Sequence, residues 1–323
     1  MSLLHNALGL INRTHELNRR PFDANTTIAT QHGRFGIIHY GVMIPGLPEP
    51  FCFFDAIVVL GTSKAPIFDN RKLATTDDPA WVLVGSAITR DSFREFSQAA
   101  DCDLAPDGKA LRFGDDLDIK HGADEIALKA VRPQAHIELT IRPTAAVSHF
   151  AHMLGVYDHW SVLCEYEGTF TPTGGETFTQ TGLCTFEYAR AVNLPLPFRF
   201  FTYQILNIDD NTQVLFTDVR ATAGLPVSRY VYVRRTDGTA TVHSSGFHHE
   251  VLATTTVTTP DGAKMELPTR FRWSCGDLVT IEGETNGDWA YGLAAGYAGS
   301  YRYTGTFEGE SIDGTGYIEW IER

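Results

Sequence analysis

The sequence predicts an all-β protein built from antiparallel strands. Three observations carry that prediction. Stretches alternating apolar and polar residues recur along the 323-residue chain. Short turn sequences, several of them Asp-Gly, separate these stretches. Helical periodicity is scarce, so the crossover helices that a parallel sheet needs are missing. Turns at such short intervals suit antiparallel sandwiches or barrels.

The elements follow in chain order. Residues 3–18 are the best helical stretch, with Leu4, Leu8 and Ile11 on one face. This start lacks a basic region, and His5 and Asn6 interrupt its apolar run, so a short amphipathic helix is expected and not a signal peptide. RFGIIHYGVMIPGLPEPFCFFDAIVVLG (34–61) gives two strands around a Gly-Leu-Pro turn. PDGKALRF (106–113) carries an Asp-Gly turn. IELTIRP (137–143) sets Ile137, Leu139 and Ile141 against Glu138, Thr140 and Arg142, the period of a half-buried strand. Residues 146–154 form a weaker helical candidate within an expected linker, 144–158. FTYQILNIDDNTQVLFTDVRA (201–221) is two strands around Asp209-Asp210-Asn211. SRYVYVRRTDGTATVHSSG (228–246) is a hairpin on Asp237-Gly238, and TPDGAKMEL (259–267) repeats that turn chemistry. Arg34-Phe35 and Arg199-Phe200 each open a strand pair, about half the chain apart. The spacing reads either as chance or as a duplication, and on the second reading it suggests two similar β modules, 1–155 and 156–323.

Composition narrows the function classes. With 26 Lys and Arg against 39 Asp and Glu, the formal charge is −13, which repels phosphate backbones and argues against a nucleic-acid partner. No apolar run approaches the roughly 20 residues of a membrane helix. Five cysteines, Cys52, Cys102, Cys164, Cys184 and Cys275, are odd in number and never form a CxxC, which predicts a reducing compartment, and the expected lack of a signal peptide adds the expectation of a cytoplasmic location. There is no GxSxG elbow, no dinucleotide fingerprint and no phosphate-binding loop. No cofactor is expected, and a homodimer is compatible with the sequence.

Histidines invite a metal reading. His149, His152 and His159 lie close together, but no carboxylate completes a recognised ligand set, and an ordinary polar segment is the preferred reading. His248, His249 and Glu250 would alternate faces of a strand. His39 and His136 are single strand histidines, expected to be structural. The Tyr230/Tyr232 and Tyr301/Tyr303 pairs each share a strand face and either line a cavity or fill a barrel.

Three segments of the second half, in order, resemble a known superfamily. They are TGLCTFEYAR (181–190), PFRFFTYQILNIDDNTQVLFTDVRA (197–221) and YAGSYRYTGTFEGESIDGTGYIEW (297–320), the last closing on Gly316-Tyr317-Ile318-Glu319. The order resembles the tandem lipocalin-like superfamily of carotenoid hydratases (hydroxyneurosporene synthases) and AttH-like proteins. That resemblance implies two consecutive antiparallel lipocalin-like β-barrels around an apolar ligand cavity. It also implies water addition to an isoprenoid double bond, with an acid protonating the alkene and an aromatic side chain stabilising the cation. The family's His-Trp pair falls on His159 and Trp160, its Tyr on Thr185 and its Asp on Glu187. The loss of the Tyr leaves a carotenoid substrate unsupported.

These readings give an expected site. Glu187, flanked by Cys184 and Phe186, is the expected proton donor, its pKa raised by an apolar setting. The ordinary alternative is a salt bridge with Arg190. Trp160 is the expected cation stabiliser, with a plain core role as the alternative. His159 or Tyr188 would orient the substrate, and His159 is preferred to Asp158 because neighbours on a strand face opposite ways. Tyr203, Cys184, Phe186, His152 and Tyr157 are expected to contact the substrate. The expected activity is a cofactor-independent hydratase, lyase or isomerase acting on a hydrophobic small molecule. The alternative is a non-catalytic carrier of such a ligand.

Overall fold

Alternation of apolar and polar residues and well-placed turns build two curled antiparallel sheets, one a nearly closed barrel and one a half-barrel. The computed structural model describes residues 14–30, 34–153 and 155–323. The turns fall where the sequence puts them. Gly108, Gly238 and Gly262 each sit in a strand connection, and Gly238 at φ +91° holds a conformation that a side chain would resist.

Among the described residues, the first sheet has eleven strands and runs from Ile37–Ile44 to Phe178–Ala191. The second has ten strands and runs from Phe198–Asn207 to Glu310–Glu322. Both close in the same way. The first strand of each sheet pairs antiparallel with the last strand of that sheet. The edge strands are also consecutive in sequence: Arg94–Ser97 and Cys102–Leu104 in one sheet, Ala240–His243 and Phe247–Thr258 in the other. The strands opened by Arg34-Phe35 and Arg199-Phe200 therefore hold corresponding places.

Two expectations change. The chain passes from one sheet to the other between Ala191 and Phe198, not at 155/156. Strands Tyr157–Pro172 and Phe178–Ala191 complete the first sheet, because their alternate apolar residues are needed to fill its interior. The expected linker and helix at 144–158 is mostly strand, since Ala135–Met153 is one continuous element. Two register shifts against Tyr157–Pro172 break its alternation, which hides it from a period count. Of the helix expected over 3–18, the turn Thr14–Leu17 is helical, and 3–13 lies outside the described residues.

Two cores follow from this layout. One fills the first barrel with Tyr40, Trp160, Cys184, Phe186 and Tyr188 among others. The other fills the second sheet and reaches across to Met43, Phe53, Ile57 and Leu83 of the first. The outer face of the first sheet is thus buried against the second, and it is there that polar groups collect.

Candidate active site

Three neighbouring strands set the site. In the first sheet, His39 and His159 both pair with Ala189, while Gly41 and Ser161 both pair with Glu187. Residues two apart on a strand share a face, so these six residues form two rows on one surface. Ala189 is small enough to leave the two imidazoles free to lean over Glu187. Gly41 adds to that room, since a Cβ there would stand 3.3 Å from His39 Nε2 and 3.4 Å from Glu187 Cβ.

The imidazoles converge on one carboxylate oxygen. His159 Nε2 lies 2.5 Å from Glu187 Oε1, and His39 Nε2 lies 3.5 Å from the same atom. Each ring is fixed from behind. His39 Nδ1–H donates to the Val58 carbonyl at 3.0 Å, and the Tyr157 hydroxyl bonds His159 Nδ1 at 2.8 Å. The other carboxylate oxygen, Glu187 Oε2, is buried and has no hydrogen-bond partner among the described residues. Burial pushes the Glu187 carboxyl up, but His159 and then His39 outweigh it and hold the group down to about 2. Glu187 is therefore an ionised carboxylate. The expected protonated acid at this position is corrected by the two histidines that the fold brings to it. The alternative partner, Arg190, pairs with Asp158 instead.

The second sheet faces this surface with Tyr203 and Glu319, which are register partners on its first and last strands. Glu319 is 3% exposed and forms no ion pair among the described residues. The Tyr317 hydroxyl lies 3.0 Å from Glu319 Oε1 and 3.1 Å from Asp55 Oδ2 of the first sheet. Asp55 Oδ1 also accepts the Gly85 amide at 2.9 Å. Burial, with Glu187 close by, pushes the Glu319 carboxyl well above the usual carboxylate range. Burial also pushes Asp55 up to about 7 against its two hydrogen bonds.

Two cavities with walls in common open between the sheets. The larger, about 230 Å³, is lined by Phe150, Tyr157, His159, Phe201, Tyr203 and Tyr230 among others. The smaller, about 70 Å³, is bounded by His39, His159, Glu187, Arg190 and Glu319 together with Tyr157 and apolar groups. Phe68, Tyr157, His159 and Phe201 belong to both. Phe150 packs edge-on against His159, Tyr203 and Tyr232, with ring centroids 4.9, 5.8 and 5.2 Å away.

Beneath the surface lies Arg234, fully buried, on the second sheet's Pro226–Arg235 strand. Its guanidinium donates to the Ser161 carbonyl at 3.0 Å, to Ser161 Oγ and Thr185 Oγ1 at 2.9 Å, and to Gln213. It ties the two sheets together and adds positive potential on the Glu187 side. The Tyr203 hydroxyl meets the same Ser161 at 3.4 Å.

The expected site residues divide by face. Glu187, His159, Tyr157 and Tyr203 come together at the cavities. Trp160 and Tyr188 pair with each other on the opposite face, inside the first barrel. Neither can act on a substrate held beside Glu187, and this corrects their expected roles. Cys184 and Phe186 lie in the same interior and are corrected likewise. His152 bonds Asp158 at 2.8 Å and lines neither cavity. Sequence reasoning missed His39, Asp55, Tyr317, Glu319 and Arg234. A signal for one of them existed: Gly182 precedes Glu187 by the same interval that separates Gly314 from Glu319.

No metal was expected from His149, His152 and His159. The structure instead groups His39, His159 and Glu187, whose donor atoms lie within 4.8 Å of one another and can hold a metal ion. The same geometry serves proton transfer without one.

Known structures share the architecture. An AttH-like protein from Nitrosomonas europaea superposes with a TM-score of 0.62 at 13% identity, over 93% of this chain and 98% of that one. Kievitone hydratase from Nectria haematococca gives 0.59 at 10% identity, over 94% and 97%. CghA in complex with Sch210972 gives 0.51 at 9% identity, over 94% and 97%. At such identities the likeness establishes the fold, two consecutive lipocalin-like barrels, and leaves activity open. A search of curated proteins returns no match. A family model does match, over residues 57–323, and the chain belongs to that family of unknown function, DUF6670.

Proposed function

We propose that this protein is a cofactor-independent enzyme of the hydratase, lyase or isomerase kind, acting by proton transfer on a hydrophobic small molecule held between the two barrels. One observation carries the reading: Glu187, a carboxylate approached by two imidazoles through one oxygen and with no partner for its other oxygen among the described residues, lines a largely apolar cavity. An unsatisfied buried carboxylate oxygen costs free energy unless something uses it. A substrate hydroxyl, a water or an acidic C–H can use it, with Glu187 as base and His159 as the group that shares the proton. Phe150, Tyr157 and Tyr203 supply aromatic surface on which a developing cation can rest, the part first given to Trp160. The enclosing apolar walls keep bulk water from such an intermediate. The hydratase among the fold relatives is in keeping with this chemistry.

The second reading is a carrier, and the apolar lining of the larger cavity favours it. Native mass spectrometry with ligand extraction, on wild type and Glu187→Gln purified from the same host, separates the two. The enzyme reading expects an apolar molecule that wild type converts and the variant accumulates unaltered. If both proteins hold the same unchanged molecule, the carrier reading replaces it. Elemental analysis of the same samples reports any metal on the triad.

A further inference from the structure

We infer that the acid of this site is Glu319, on the second sheet, with Tyr317 and Asp55 as the relay that resupplies its proton, while Glu187 serves as the base. The inference rests on the proton-transfer reading above and assigns its two halves to different sheets.

Proton counting carries it. Tyr317 has one hydroxyl hydrogen, yet carboxyl oxygens of both Asp55 and Glu319 stand at hydrogen-bond distance from it. If both carboxyls were ionised, one contact would be a bare repulsion of oxygen against oxygen in a dry interior. A proton on one of them turns both contacts into hydrogen bonds. Electrostatics choose where it rests. Asp55 accepts the Gly85 amide as well as the Tyr317 hydroxyl, which favours its charged form, whereas Glu319 has the phenol alone among the described residues and borders the same cavity as the Glu187 carboxyl. Glu187 has two imidazoles to hold its charge, whereas Glu319 has a phenol. Two carboxyls with environments that push them apart are the pattern of an acid and its base.

The step balances. For hydration, the π pair of a C=C bond takes the Glu319 proton to form a C–H bond, leaving a carboxylate and a carbocation. Water adds its oxygen to the cation, and its surplus proton goes to Glu187 and His159. One H₂O has been added. The proton on the Glu187 side then passes through solvent to Asp55, which hands it to the phenol oxygen as the Tyr317 hydrogen moves to Glu319, so that each group regains its starting state. For isomerisation, Glu187 takes the proton from a neighbouring carbon instead, and no water is consumed.

Infrared difference spectroscopy tests the assignment directly. At neutral pH the wild type should show the C=O stretch of a buried protonated carboxylic acid. Glu319→Gln should lose that band and Glu187→Gln should keep it. Tyr317→Phe should shift it, because one hydrogen bond is gone, and this variant serves if Glu319→Gln does not fold. A band absent from wild type, or unchanged in both Glu319→Gln and Tyr317→Phe, overturns the inference. Incubation of wild type with geraniol and farnesol in D₂O, read for deuterium on carbon, tests the chemistry separately. Deuterium incorporated by wild type and lost in Glu319→Gln supports the assignment. Equal incorporation by Glu319→Gln overturns Glu319 as donor. With the infrared band assigned to Glu319, a lack of incorporation by wild type counts against the enzyme reading and leaves the protonation of Glu319 standing.

Discussion

Glu187 and Glu319 occupy corresponding places, each near the end of the strand that closes its sheet. Across the ladder, Glu187 faces Gly41, and Glu319 faces Tyr203. The glycine leaves space for histidines to reach the first carboxyl. The tyrosine fills that space at the second. One duplicated position thus holds a charge in one sheet and a proton in the other, and the difference lies in the neighbours.

The strongest way to break this contrast is to delete each side chain. Glu187→Ala leaves two imidazoles facing an empty buried space and should cost about 3–5 kcal/mol of stability, the scale of breaking a buried pair. Glu319→Ala removes a neutral hydrogen-bonding group and should cost about 1–3 kcal/mol. Urea unfolding of the two variants measures the gap, and equal losses would show that the two carboxyls are held alike.

Arg234→Met comes next. It removes the guanidinium that bonds Ser161, Thr185 and Gln213 across the two sheets and leaves those acceptors buried. The expected loss is about 2–4 kcal/mol, reduced by the good packing of the new side chain. Thermal unfolding should also separate into two steps if this clamp couples the sheets. A single transition at the wild-type temperature would count against that coupling.

Acid and neutral pH should act oppositely on the two ends of the network. The Glu187 carboxyl, at about 2 when folded, lies below its unfolded value of about 4.3. Its contribution is present above that value and disappears as pH falls toward 2. Asp55, at about 7 when folded, lies above its unfolded value of about 3.9. Its contribution is present below that value and is lost as pH rises through 7. Each window should show a slope of up to about 1.4 kcal/mol per pH unit. Glu187→Gln should flatten the first and Asp55→Asn the second.

The smallest effect sharpens the geometry. Gly41→Ala places a Cβ 3.0 Å from Met43 Sδ and 3.3 Å from His39 Nε2. It should cost about 1 kcal/mol and disturb the His39 ring, visible as a shift of its imidazole NMR signals. Unshifted signals would mean that the ring does not depend on this glycine.

Much of the fold was legible because strand period and Asp-Gly turns are local. The turns at 107–108, 237–238 and 261–262 all join strands. The long strand Ala135–Met153 was not legible in its second half, where bulges scramble the alternation of Ser148, His149, Phe150 and His152. The site was half legible. Glu187 and His159 stood out as an acid and a histidine in strands, but Trp160 and Tyr188 are adjacent to them in sequence and so face away. His39 could not be chosen from the other strand histidines, because only the pairing of the first strand with the last carries it to Glu187. Glu319 reached the cavity through the fold's repetition, a relation between two distant stretches that no single window displays.

That closure by first and last strands has a kinetic consequence. The ladder between Ile37–Ile44 and Phe178–Ala191, and that between Phe198–Asn207 and Glu310–Glu322, each join segments separated by most of a barrel. Closing such long loops is entropically slow, whereas the hairpins inside them form early. During refolding, strand content should therefore rise well before His39 and Glu187 meet. The protonation of the site then becomes a clock for the final step: a proton-release or proton-uptake phase that lags behind circular dichroism marks the moment the first and last strands of each sheet pair.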